Sequence, residues 1–280
     1  MLYSKNHSFL LPKSCGKYFG DLSLQEMRNL KSELTDAEKG YAHAKYYYSM
    51  PAPLSEIHKA AIQAGPIDPA KAFDIQDYGK FMNNTGHCEV ENGYCVLPNG
   101  VTYAAVLLNQ EGRTDEMVNF YNQHFAKEDS LFYKTWYPGE HFMHYENGAL
   151  ESFGFGRMNM RFAGQVQVEQ LGMKFEDIEK NDPNCIMVGG TTAVGYNIDA
   201  QDPDKAEWNT IVFYYRQTPT GREVRVRLRY GVGIDNGQYV YTPPKKECAE
   251  YVAKCTMIHV MQEYTNDDYL ERMFWEEHYK

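Results

Sequence analysis

The stretch from about Thr242 to the end of the chain reads as one long helix, and the rest of the chain has to fold against it. Thr242-Pro243-Pro244 opens it, because proline is tolerated in a first turn where its missing N–H is not needed. His259 and Glu263 stand four residues apart, one helical turn, so both side chains leave the same face close enough to hold one ion. Stepping back along that face gives Cys255, Val252 and Cys248, small or apolar residues that mark it as the buried side. A buried carboxylate without a partner costs several kcal/mol, so Glu263 calls for a cation, a cluster of donors or a metal. A plain His–Glu hydrogen bond on a half-exposed turn satisfies the same spacing.

Length and charge narrow the classes. A chain of 280 residues, 43% hydrophobic, is long enough for a full core. A formal net charge of -10 disfavours nucleic acid and anionic membrane surfaces as partners. The most basic run, Arg222 to Arg229, alternates Arg with Val and Leu and reads as a strand with one wet face. No run approaches the ~18 apolar residues of a bilayer span, and Met1 to Lys13 lacks the features of a signal peptide, so a cytoplasmic protein is expected. Cysteines 15, 88, 95, 185, 248 and 255 form no CxxC pair and are expected to be free thiols. The 23 tyrosines and 14 phenylalanines suit either a tyrosine-rich sheet or an aromatic pocket for a flat, hydroxylated ligand.

Residues 1–90 read as a partly helical extension. Ser23 with Glu26 and Thr35 with Glu38 have capping-box spacing, the first opening a helix to about Leu34, and Ser55 starts another to about Ala64. From Tyr94 the period changes to that of strands. Tyr94–Leu97 and Val101–Leu108 flank Pro98-Asn99-Gly100, a hairpin signal. Thr114 caps a helix carrying Met117, Phe120, Tyr121 and His124 on one face. Strands are expected over Leu131–Met143, Gly164–Leu171, Ile186–Ile198, Trp208–Gln217 and Arg222–Tyr230, the last two joined through Thr218-Pro219-Thr220-Gly221. Antiparallel strands closed by one C-terminal helix define an α+β protein, and the domain boundary, if there is one, falls near residue 90.

Two strand segments offer further metal-type ligands. In one, His141 and Tyr133, eight residues apart, share a face if the chain is extended. In the other, Val166-Gln167-Val168-Glu169, a regular strand that buries both valines turns Glu169 outward; it faces inward only where the strand ends or bulges, as Gly172 allows.

Taken together, Tyr133-Lys134-Thr135-Trp136-Tyr137-Pro138-Gly139-Glu140-His141, Val168-Glu169-Gln170-Leu171-Gly172 and His259-Val260-Met261-Gln262-Glu263 resemble the family of diacetylphloroglucinol and phloretin hydrolases, from about Tyr94 to the C-terminus. The resemblance implies a helix-grip fold, a curved antiparallel sheet around the C-terminal helix, with residues 1–90 as an extension on a catalytic domain at 91–280. It implies a zinc ion held by His141, Glu169, His259 and Glu263, with Tyr133 contacting substrate and a homodimeric assembly. Where the pattern has asparagine three residues after the first histidine, this chain has His144. His124 competes with His141 as a ligand, and Glu146 or Glu151 with Glu169.

The implied reaction is hydrolysis of the bond between an acyl carbonyl and a phloroglucinol ring in a small aromatic ketone. Zinc polarises a carbonyl or lowers the pKa of bound water toward ~7, and the leaving ring carbon takes a proton through the ring's keto form. Tyr133 and His144 are the candidate general acids. A non-catalytic carrier of a hydrophobic aromatic ligand, or a zinc hydrolase of another ketone or ester, fits the same pattern less fully. HExxH, GxGxxG and P-loop patterns are absent, so neither proteolysis nor a nucleotide cofactor is expected.

Overall fold

A computed structural model describes residues 3–4, 22–125, 129–145 and 147–279, without the side chains of 3, 4, 124, 125 and 129. The elements in chain order are strand β1 (Tyr3–Ser4) and helices α1 (Leu24–Asn29), α2 (Asp36–Lys39), α3 (Ala44–Tyr47), α4 (Glu56–Ala64) and α5 (Tyr78–Met82). Strands β2 (Gly93–Val96) and β3 (Thr102–Glu111) precede helices α6 (Asp115–Phe125) and α7 (Asp129–Trp136). Then come β4 (His141–Tyr145), β5 (Gly148–Ser152), β6 (Arg157–Val166), α8 (Phe175–Asn181), β7 (Cys185–Asn197), β8 (Ala206–Thr218) and β9 (Gly221–Tyr230). The hairpin β10 (Val232–Asp235) and β11 (Gln238–Tyr241) leads into α9 (Lys246–His278).

The architecture is α+β. Among the described residues the main sheet runs β2-β3-β9-β8-β7-β6-β5-β4, antiparallel throughout. β1 pairs with β7 at Met187 and Val188, just beyond Gly190, where β6 leaves it. The turn chemistry explains the connections. Gly100, at φ 84, closes the β2–β3 hairpin, a conformation open to glycine without a Cβ penalty. Ser23 and Thr35 both complete capping boxes, but α1 stops at Asn29, short of the expected Leu34.

Strand alternation sorts side chains into two layers. Ala104, Val106, Leu108, Val224, Val226 and Leu228 face Ala253, Met257, Val260 and Met261 of α9. Tyr103, Ala105, Val212 and Tyr214 face the other way, against Phe73, Ile75, Tyr78 and Met82 from the N-terminal part and Ile178 of α8. Thus the arginine face of β9 is not wet. Arg225, Arg227 and Arg229 are fully buried beneath the segment that runs from Phe73 to Glu91. Glu91 accepts from Arg225 at 2.6 Å and also from Arg227, while Arg229 donates to the Phe73 carbonyl at 3.0 Å. The Phe73 ring lies 5.2 Å from the Arg229 guanidinium, a cation–π contact. These partners let a charged strand face join the core.

Along the first half of α9 the buried side is Ala249, Val252, Ala253, Thr256, Met257, His259, Val260 and Met261, and Asn266, Leu270, Glu271 and Phe274 continue it. Cys248 and Cys255 sit at its half-exposed margin rather than in it. None of the five described cysteines forms a disulfide, and Cys15 lies outside the described residues, as does the Met1 to Lys13 segment apart from the β1 backbone. Among the described residues no helix is long and apolar enough to cross a membrane.

Candidate metal centre

The expected strand over Leu131–Met143 is two elements. Leu131 to Trp136 belong to helix α7, and the chain becomes extended only at His141. Between them Tyr137-Pro138-Gly139 makes a tight turn with Gly139 at φ 96, and the His141 N–H donates to the Tyr137 carbonyl at 2.9 Å. This turn brings the start of β4 back against the helix. The Tyr133 ring then stacks on the His141 imidazole, with centroids 4.0 Å apart and planes 7° from parallel.

β5 returns alongside β4, and a bulge between His141 and Met143 sets Glu151 directly across from His141. α9 supplies His259 and Glu263 from the other side. His141 Nε2 lies 3.3 Å from Glu151 Oε2 and 3.4 Å from His259 Nε2, and His259 Nε2 lies 3.8 Å from Glu151 Oε2 and 3.9 Å from Glu263 Oε2. His141, Glu151 and His259 are all buried and form a group whose ligand atoms could share one ion. Ligands at ~2.0–2.1 Å from a tetrahedral zinc stand about 3.3 Å apart, which the first two spacings match and the third approaches.

The surroundings aim these atoms. His141 Nδ1 donates to the Tyr133 main-chain carbonyl at 2.7 Å, and since a carbonyl only accepts, the lone pair is left on Nε2. His259 Nδ1 faces Glu140 Oε2 at 3.4 Å, an outer carboxylate with the same effect on its ring. The Tyr133 hydroxyl donates to Glu151 Oε2. Phe153 and Tyr137 pack on His259 with centroids 4.3 and 5.0 Å away.

Charge states follow from these neighbours. Burial alone would raise the Glu151 carboxyl, but its hydrogen bond with His141 and the charges of His259 and His141 outweigh that and hold it below the usual range. Burial pushes Glu263 up to about 7 against the opposing pull of His141 and His259, with Glu151 adding to the rise. Burial would lower His259, yet Glu140, Glu151 and Glu263 together raise it. Burial, reinforced by Glu151, lifts the Tyr133 phenol well above its ordinary value, so it stays protonated.

Of the six residues expected from the sequence, five meet here. His141 and His259 turn to one point, Glu263 stands beside them at 3.9 Å from His259 Nε2, and Tyr133 and His144 line the adjoining cavity. Glu169 does not join them. β6 ends at Val166, and the 3-10 turn Val168–Leu171, closed by Gly172 at φ 66, buries Val168 and Leu171 and leaves Glu169 exposed. Glu151 stands in the group instead. The side chain of His124, and Glu146 entirely, lie outside the described residues.

The cavity encloses about 300 Å³. Its walls are aromatic and apolar, from Phe132, Trp136, Phe153, Phe162, Phe213 and Tyr264 among others. Its polar side chains include His144, Glu151, His259 and Glu263 in one cluster and Arg113, Arg222, Asp267 and Glu271 in another. Such an enclosure suits a small, largely aromatic ligand with few fixed polar contacts.

A buried His–Glu–His group at one end of an aromatic cavity, set between an antiparallel sheet and a long helix, defines a candidate metal-dependent enzyme fold. The chain belongs to the DAPG hydrolase PhiG domain family, whose model matches residues 73–270. It is also similar to a phloretin hydrolase of Eubacterium ramulus, 26% identical over 113 residues; the aligned stretch is 40% of this chain and 41% of that relative.

Proposed function

We propose that the protein is a zinc-dependent hydrolase that cleaves the carbon–carbon bond between an acyl carbonyl and a phloroglucinol ring. The observation that carries this reading is the convergence of His141 Nε2, His259 Nε2 and Glu151 Oε2 within 3.3–3.8 Å of one another at one end of an aromatic cavity. His141, Glu151 and His259 would hold the ion, with Glu263 as fourth ligand or as the group beside its open position. Zinc bound there supplies a Lewis acid for the carbonyl and lowers the pKa of water toward ~7.

The chain's own residues do the rest. Glu263, whose ordinary acidity is weakened by burial, takes a proton from the attacking water. The aromatic walls hold the ring flat and exclude bulk water. Tyr133, protonated at neutral pH, stands in the cavity as donor to the departing ring carbon, with His144 beside it at 5.2 Å between ring centroids. Water's hydroxyl ends on the acyl group as a carboxylic acid, and the proton that Glu263 takes from it replaces the one Tyr133 gives to the ring, so the ketone yields an acid and a phloroglucinol and both residues return to their starting states.

The helix-grip description, the 1–90 and 91–280 division, a cytoplasmic site of action and a homodimer belong to the same reading. Support for the first is the sheet packed on α9; support for the others is the resemblance and the composition. A non-catalytic carrier has no use for three buried ligands turned to one point. The test is elemental analysis of the purified protein together with product analysis on phloretin. About one zinc per chain and chelator-sensitive release of phloroglucinol support the reading, and full turnover of metal-free protein overturns it.

A further inference from the structure

The face of β9 turned away from the cavity carries more positive charge than its partners absorb. Arg225 and Arg227 share the carboxylate of Glu91, and Arg229 hydrogen-bonds the Phe73 carbonyl. Asp74, which accepts from the Ile75 N–H and from Asn99, adds its charge near Arg229 without pairing with it. All three guanidiniums are fully buried, and Arg225 Nε and Nη1, Arg227 Nε, and Arg229 Nε and Nη1 have no partner. Buried donors left unmet are costly. The layer is short of acceptors and of negative charge.

One group at its margin reaches solvent and can acquire both. Cys88 is half-exposed, and its Sγ accepts from Arg225 Nη2 at 3.3 Å. Its main chain is fixed there as well, because the Cys88 N–H donates at 2.6 Å to Glu91 Oε1, the oxygen that Arg225 also meets at 2.6 Å. The other half-exposed thiols stand differently. Cys248 Sγ donates to the Lys245 carbonyl at 3.2 Å, and burial, with the Glu140 charge, raises Cys255 against its hydrogen bond with Tyr251.

We propose that Cys88 is an oxidation site, at which a peroxide converts the thiol to a sulfenic and then a sulfinic acid whose oxygens bind the Arg225 guanidinium. In the first step the sulfur takes one peroxide oxygen as the O–O bond breaks, and the other oxygen leaves as water with the displaced proton. A second peroxide repeats the transfer, so sulfur loses two electrons in each step and each peroxide is reduced to water. The sulfinate brings one negative charge and two acceptor oxygens to donors that lack partners. Oxidation at this position therefore tightens the fold, whereas oxidation of a buried methionine disrupts packing.

The experiment treats the full chain with a small excess of hydrogen peroxide, with dimedone present to trap sulfenic acid, and follows each cysteine by peptide mass spectrometry. Cys88 is expected to gain the adduct roughly tenfold faster than Cys248 and Cys255, and to gain two oxygen atoms when dimedone is left out. Equal or faster labelling of Cys248 or Cys255 overturns the proposal. The charge is tested separately and without oxidant by Cys88→Asp, whose carboxylate has the shape of a sulfinate, against its neutral counterpart Cys88→Asn. Cys88→Asp is expected to melt about 3–10 °C above Cys88→Asn. A Tm for Cys88→Asp at or below that of Cys88→Asn shows that the arginine layer does not take up the added charge, and overturns the proposal as well.

Discussion

Tyr133 holds His141 twice: its carbonyl accepts the Nδ1–H at 2.7 Å and its ring stacks on the imidazole at 4.0 Å. A third function, the hydroxyl, goes to Glu151. The three can be separated, because Tyr133→Phe removes only the hydroxyl. We expect that variant to keep its metal by elemental analysis and to lose about 10²- to 10⁴-fold in kcat, the usual contribution of a general acid. Loss of metal in parallel with activity would make the hydroxyl a support for Glu151 alone.

Ligand replacement separates Glu151 from Glu169. His259→Ala and Glu151→Ala are expected to lose bound zinc and activity together, whereas Glu169→Ala, on its exposed turn, is expected to keep both. Zinc stoichiometry after dialysis decides between them. Zinc lost from Glu169→Ala but retained in Glu151→Ala would restore the ligand set expected from the sequence.

Glu91 is the carboxylate shared by two fully buried arginines, and it is held down to about 2 because the Arg227 and Arg225 charges outweigh its burial. Glu91→Ala would strand both guanidiniums. Breaking a buried ion pair costs about 3–5 kcal/mol, and the expected loss by urea denaturation is of that order, with the His141, Glu151 and His259 group intact in whatever fraction stays folded. A change under about 1 kcal/mol would mean that solvent reaches the arginines.

Asn266 is fully buried on α9 and ties three segments together. Its amide donates to the Trp136 carbonyl at 2.5 Å, and its oxygen accepts from the Ala52 N–H at 2.8 Å and from Gln262 at 2.9 Å. Asn266→Ala leaves several buried groups unmet at about 1–3 kcal/mol each, so we expect a clear fall in Tm and greater proteolysis near Ala52.

Glu271 makes stability depend on pH in a stated direction. Its folded value near 8 lies above the ordinary 4.5, so the native state keeps a proton that the unfolded chain releases between those values. The groups facing it are Arg113, Asp267 and Asp268, with Arg222 and Tyr121 and Tyr215 nearby. Its contribution to stability is therefore greatest at or below about 4.5 and declines as pH rises through 8. The difference in unfolding free energy, Glu271→Gln minus wild type, should grow over that window. A flat difference would place Glu271 at an ordinary acidity.

What could be read from the sequence was local. The two hairpins, the cap of α6 and the long α9 follow from turn residues and periodicity, and His259 with Glu263 follows from helical spacing. Leu131 to Trp136 is a run of bulky residues in which helix and strand patterns look alike, and tertiary packing chose helix. Glu151 was within reach: Asn147-Gly148 is a hairpin signal that pairs Tyr145 with Gly148. Counting back from that turn puts Phe142, not His141, opposite Glu151; only the bulge corrects this, and no residue type announces it. The dry face of β9 was hidden for another reason, since its cover comes from residues more than a hundred positions away in sequence.

The interval of four along α9 has one more effect. Four residues advance a helix by about 400°, not 360°, so each polar group is turned about 40° from the one before it. From His259 through Glu263 and Asp267 to Glu271 the row winds through about a third of a revolution, so the end that meets His141 and Glu151 and the end that meets Arg113 look out from the helix in different directions, and the one cavity they line is wrapped part-way round α9.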